Sequence, residues 1–144
     1  MKYLLIFFLT ISYFAISQNL DSNENQFCDF YFDSLLHMNV YTDYLTIDDN
    51  NQNLNKFLSY FMSNYKYSKN AQIIMNLNIT LILDTNGLIV RSYLLDKDMN
   101  EYSQNEIEAL NTINVYDQSI IRGKCRGVYV PVKFLLPLKI HARD

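Results

Sequence analysis

Between Leu54 and Leu94 the hydrophobic pattern changes period, and that change constrains the fold more than any other feature of the chain. Leu54, Phe57, Leu58, Phe61, Met62 and Tyr65 recur at i, i+3, i+4, i+7, i+8 and i+11, which predicts an amphipathic helix with one apolar stripe. Further on, Leu77, Ile79, Leu81 and Leu83 alternate with Asn76, Asn78 and Thr80, the period-2 signature of a strand with one buried face. The tetrad Asp84-Thr85-Asn86-Gly87 then predicts a tight turn, because Asn86 and Gly87 tolerate the positive φ that such turns require. In the returning strand Leu88, Val90 and Leu94 share one face, and Arg91 and Tyr93 lie on the other.

Two more elements follow. Ser103 and Glu106 have the spacing of a capping box, and Ile107, Leu110 and Ile113 continue as the buried stripe of a second helix. The closing run alternates strongly, with Val128, Val130, Val132, Phe134 and Leu136 on one face of a last strand. Pro131 and Pro137 fall on the opposite face, and since proline cannot donate to a ladder, part of this strand's edge is expected to be exposed. A chain of 144 residues with 49% hydrophobic and 19% charged residues is long enough for one globular core. The order of elements predicts an α+β fold, a small antiparallel three-stranded sheet with two helices packed on one face.

The N-terminal part has a different character. Residues 3–16 form an apolar run behind a single Lys2, with small residues Ala15 and Ser17 ahead of Gln18. About fifteen apolar residues suit a signal-peptide core better than a membrane span, which needs roughly twenty. We therefore expect a signal peptide over residues 1–17, cleaved near Ser17-Gln18, a periplasmic or secreted chain, and no stable membrane anchor after cleavage; a retained anchor is the alternative. Residues 18–50 are expected to be a polar leader and an N-terminal segment. In that segment Cys28, Tyr31, Phe32, Leu35 and Leu36 fit one face of a short helix. The main domain is expected over residues 51–144.

Export makes Cys28 and Cys125, an even pair, a candidate disulfide, with two unpaired thiols as the alternative. Cys125 lies among Arg122, Lys124 and Arg126, a setting that also suits a reactive thiol, although there is no CxxC. Other chemistry is scarce. Asp96, Asp98 and Asn100 have the spacing of a calcium loop, but Glu101 replaces its glycine and Ile107 its glutamate. His37 and His141 have no ligand partner at i+4, and the three glycines form no phosphate loop. With a net charge of −3 and no long basic run, nucleic-acid binding has little support. The expectation is a non-enzyme with no metal and no cofactor.

Residues 57–71, the ITLILDTNGLIV hairpin, the capped helix SQNEIEALNTI and the closing VYVPVKFLLPLKI come in the order and at the spacing of the TonB C-terminal domain, which the chain resembles. Lys66, Tyr67 and Ala71 match that family's turn after the first helix, with Ser68 where a proline would stand. Asp84 and Gly87 match its hairpin, and residues 131–134 match its close. The family's tryptophan-x-proline segment is missing, and the chain has neither a proline-rich spacer nor a histidine in the apolar run, so the resemblance implies the terminal domain exported alone. It also implies that an exposed edge of the last strand adds a peptide segment of an outer-membrane receptor, or of another envelope protein, to the sheet. Val128, Tyr129, Val130, Lys133 and Phe134 would carry that contact. The alternative is a structural or assembly protein that uses the same edge to form a homodimer or to dock into an envelope complex.

Overall fold

The helical stripe folds as α1, Gln52–Asn64, and buries Leu54, Phe57 and Phe61. The computed structural model to which it belongs describes residues 4–5, 27–47, 52–66 and 74–142. The expected signal peptide apart from Leu4 and Leu5, the leader over residues 18–26 and the turn positions Tyr67, Ser68 and Ala71 lie outside the described residues. Strands β5, Ile74–Leu83, and β6, Ile89–Leu94, pair antiparallel around the predicted turn. The Asp84 carboxylate organises that turn by accepting from the amides of Asn86 at 2.8 Å and Leu88 at 2.9 Å. Gly87 takes φ +80°, and its carbonyl accepts from the Ile120 amide at 2.9 Å.

Helix α2, Gln104–Asn114, starts at the predicted box: Ser103 accepts from the Glu106 amide, and Glu106 reaches back to the Ser103 amide at 2.7 Å. Lys97 donates to the second oxygen of the buried Glu106 at 2.6 Å. Burial alone would raise the Glu106 pKa, but Lys97 and the two bonds to Ser103 outweigh it and hold the carboxyl below its ordinary value. Strand β9, Val132–Ala142, runs antiparallel along the whole of β5, from Leu83↔Val132 to Ile74↔His141. The principal core joins Leu54, Phe57 and Phe61 of α1 to Ala109, Leu110 and Ile113 of α2 across Leu77, Ile79, Leu81 and Leu83 of β5. Tyr116, from the segment after α2, fills the same core and meets the Phe57 ring edge-on at 5.0 Å.

The chain is α+β, but the expected architecture is not the one it adopts. Three strands in one small sheet are replaced by two sheets, one of them curled into a half-barrel. Residues 27–45 do not form the expected short helix. They supply a hairpin of β2, Phe30–Asp33, and β3, Met38–Tyr41. The physical cause is local: Asp33 Oδ1 accepts from the amides of Leu35 at 3.0 Å and Leu36 at 3.1 Å, and His37 takes φ +52°, so the backbone turns back. Strand β3 then meets β9 in parallel at Tyr41↔Val132, giving the order β2-β3-β9-β5-β6. Strand β1, Leu4–Leu5, pairs with His141 and Ala142 off this path.

The curl brings the two ends of the path together. Arg91 of β6 donates to Asp33 of β2 at 3.1 Å, and Tyr31 shares a side-chain hydrogen bond with Tyr93. Val40 and Ile82, both fully buried, occupy the sheet face opposite the helices and stand apart from the principal core.

The continuous last strand is also corrected. Strand β8, Val128–Val130, stops before Pro131 and belongs to a second sheet with β7, Arg122–Cys125, and β4, Leu45–Ile47, in the order β4-β7-β8. Pro131 has no N–H to carry a ladder across this point, and its carbonyl accepts from the Tyr41 amide at 2.9 Å. Two sheets of this composition are not the compact TonB C-terminal topology, and the resemblance does not describe this fold. No described helix is long and apolar enough to cross a membrane.

Candidate functional site

The second sheet gathers the chemistry that the fold leaves on the surface. β7 and β8 are joined by Arg126 and Gly127, both at positive φ (+47° and +79°), which is the geometry of a two-residue hairpin turn between Cys125 and Val128. The turn is covalently fixed: Cys125 is bonded to Cys28, which lies two residues before β2, with Cα atoms 6.0 Å apart. The half-barrel hairpin and the second sheet are thereby tied together. A bonded Cys125 also removes the reactive-thiol reading, since neither cysteine is free.

Arg122 and Lys124 alternate with the buried Gly123 and so share one face of β7. Both sit on Tyr129 of β8, with the Arg122 guanidinium 4.7 Å and the Lys124 ammonium 4.5 Å from the ring centroid. On the opposite side Gly123 has no room for a side chain, because a Cβ there would lie 2.7 Å from Cδ2 of Tyr44. The Tyr44 hydroxyl passes on to donate to the Lys133 carbonyl at 3.2 Å. Burial pushes the Tyr44 pKa up to about 12.

Around this turn Arg122 and Arg126 are exposed, as are Val128 (65%) and Phe27 (82%), the residue before Cys28. On β2, Phe30 at 56% and Phe32 at 61% exposure share one outward face. Charge is strongly segregated along the chain. Residues 118–143 hold Arg122, Lys124, Arg126, Lys133, Lys139 and Arg143 and no carboxylate, in a protein whose formal net charge is −3.

The residues expected to capture a peptide are divided by the fold. Val128 and Tyr129 reach the surface of the second sheet; Val130 is buried in the core, and Phe134 packs against it. Lys133 lies in β9, in the other sheet, so the five do not form one strand edge. The basic cluster RGKCRG was visible in the sequence, but its neighbour Phe27 was not, because the disulfide spans 97 residues.

Asp96 and Asp98 do not converge on a cation position: Asp96 accepts from Asn78 at 2.8 Å, and Asp98 caps a 3-10 turn, Met99–Glu101. Among the described residues no group of three or more His, Cys, Asp or Glu side chains could hold a metal ion. No protein-family model, curated protein or solved structure matches this chain. Strand capture in the manner of a TonB C-terminal domain therefore finds neither the topology nor a relative to rest on.

Proposed function

We propose that the chain is an exported, non-catalytic docking domain that holds an acidic segment of a partner protein on the face of the second sheet that carries Arg122, Lys124 and Tyr129. The observation that carries this reading is the placement of Arg122 and Lys124 on one face of β7, both over the Tyr129 ring, next to a covalently fixed turn that carries exposed Arg126, in an acidic protein. Opposite charge steers such a partner and sets its register, while the Tyr129 ring between the two cations supplies the desolvated contact. The contact is made by side chains and needs no added strand. Export is supported by the apolar run over residues 3–16 and by the disulfide, which persists in oxidising compartments.

The test is titration of the full chain with poly-L-glutamate, followed by amide NMR. We expect saturable shifts at Gly123, Lys124, Gly127 and Tyr129 that fade at about 0.5 M salt, where the Debye length falls to a few ångströms. The double variant Arg122→Gln, Lys124→Gln should lose them while keeping its thermal unfolding transition. Equal binding of duplex DNA would make the face a generic polyanion surface and overturn the proposal. So would shifts that appear only on self-association, in which the carboxylates of a second copy would be the occupant.

A further inference from the structure

A second site lies on the solvent side of α1. The exposed side of α1 and the segment after α2 enclose an open groove of about 800 Å³. Gln52, Asn55, Lys56, Ser59 and Tyr60 line it from α1, and Tyr116 and Gln118 from the segment after α2. Among the described residues its lining sets two tyrosine rings among three amides, a hydroxyl and the Lys56 ammonium.

Tyr116 adds an independent observation. It is only 7% exposed, its ring is 5.0 Å from Phe57 and 4.9 Å from Tyr60, and its hydroxyl oxygen is buried with no hydrogen-bond partner among the described residues. Buried hydroxyls in folded proteins nearly always find a partner, so an orphan at the wall of a groove marks a place where a ligand group can supply one. Tyr60, half-buried and tilted at 50° to Tyr116, stands next to it.

We propose that this groove binds a neutral oligosaccharide. The Tyr60 ring would stack on the C–H face of a sugar. Asn55, Ser59 and Gln118, which between them donate and accept, match the mixed donor and acceptor character of sugar hydroxyls. Lys56 donates to a hydroxyl at the rim, and Tyr116 exchanges its missing hydrogen bond with a hydroxyl of the inner sugar. The site is independent of the docking surface on the second sheet.

The full chain would be titrated separately with maltotriose, cellotriose and chitotriose, reading the side-chain amides of Asn55 and Gln118 by NMR. At least one sugar should give saturable shifts at both amides, and Tyr60→Ala should weaken that binding at least about tenfold. Tyr116→Phe supplies the control that separates binding from folding. Removing an unsatisfied hydroxyl should leave the free protein's melting temperature unchanged or raised, yet lower the affinity for the sugar. Absence of saturable shifts with all three sugars up to about 20 mM, a concentration that reveals even millimolar affinity, overturns the proposal. Binding that survives Tyr60→Ala unchanged overturns it as well.

Discussion

Arg91 and Asp33 stand 58 positions apart in the chain and at opposite ends of the main sheet's strand path, yet the Arg91 guanidinium lies 3.1 Å from the Asp33 carboxylate. This contact closes the curl. Asp33 is 6% exposed and spends its other oxygen on the amides of Leu35 and Leu36, so one carboxylate both turns the hairpin and fastens it to β6. Arg91→Leu leaves that carboxylate buried with a lost partner and should cost about 1–3 kcal/mol. Asp33→Ala removes the turn bonds as well and should cost more. Urea unfolding of the two single variants and the double variant checks this; a coupling energy near zero would mean the contact contributes nothing to closure.

The Cys28–Cys125 bond closes a loop of 97 residues, for which the chain-entropy account gives about 4–5 kcal/mol at 25 °C. Much of the link acts between the hairpin and the second sheet, whose pairing with the rest of the molecule is sparse: β3 meets β9 at a single residue pair. The double variant Cys28→Ser, Cys125→Ser should therefore lower the melting temperature and raise hydrogen exchange first at β2, β3, β7 and β8. Protection in β5 and in the part of β9 paired with it should fall only with the global stability.

Those two contacts show why only part of this fold was legible. The apolar stripe of α1, the Asp84 turn and the Ser103 box are local signals, and each is satisfied within a few residues of itself. The β2 hairpin hides its period because its polarity is inverted: Phe30 and Phe32 face solvent, and Asp33 points inward to an arginine from a distant strand. Alternation also runs unbroken through Val128, Val130 and Val132, although the first two pair with β7 and the third with β5. Periodicity reports which face a residue takes but not which strand lies beside it. The candidate docking surface was half readable, since Arg122, Lys124 and Arg126 alternate within five residues, whereas the pairing that sets Tyr129 beneath two of them appears only in the hairpin. The saccharide groove was not readable, because Asn55, Lys56 and Ser59 on α1 look like an ordinary solvated face until Tyr116 is placed behind them.

Three tyrosines should titrate late. Burial, reinforced by Tyr93 and Asp33 at Tyr31 and by Glu108 and Glu106 at Tyr65, pushes Tyr31, Tyr44 and Tyr65 up to about 12 from an ordinary value of 10.0. A folded-state pKa above the unfolded one adds stability that is fully present below pH 10 and is lost as pH rises towards 12. Ultraviolet titration of tyrosinate should show a late wave near pH 12 accompanied by unfolding. Phenylalanine at Tyr44 should remove one late proton and the bond to the Lys133 carbonyl; a single early wave for every tyrosine would show that these rings are not buried as described.

Gly87 and Gly127 separate two effects that glycine usually combines. Both sit in the left-handed region, at φ +80° and +79°, so alanine at either carries the conformational penalty, on the order of 1 kcal/mol. A Cβ on Gly127 meets nothing within 4 Å, whereas one on Gly87 runs into the Ile121 carbonyl and the Ser119 hydroxyl. Gly127→Ala should therefore cost about 1 kcal/mol and leave the docking face in place. Gly87→Ala must also push away the backbone that leads into β7, and should cost roughly 2–4 kcal/mol while displacing the segment that carries Arg122. Denaturant midpoints with unchanged slopes would measure both costs. Equal losses at the two positions would mean that the turn of β5 and β6 does not rest against residues 119–122.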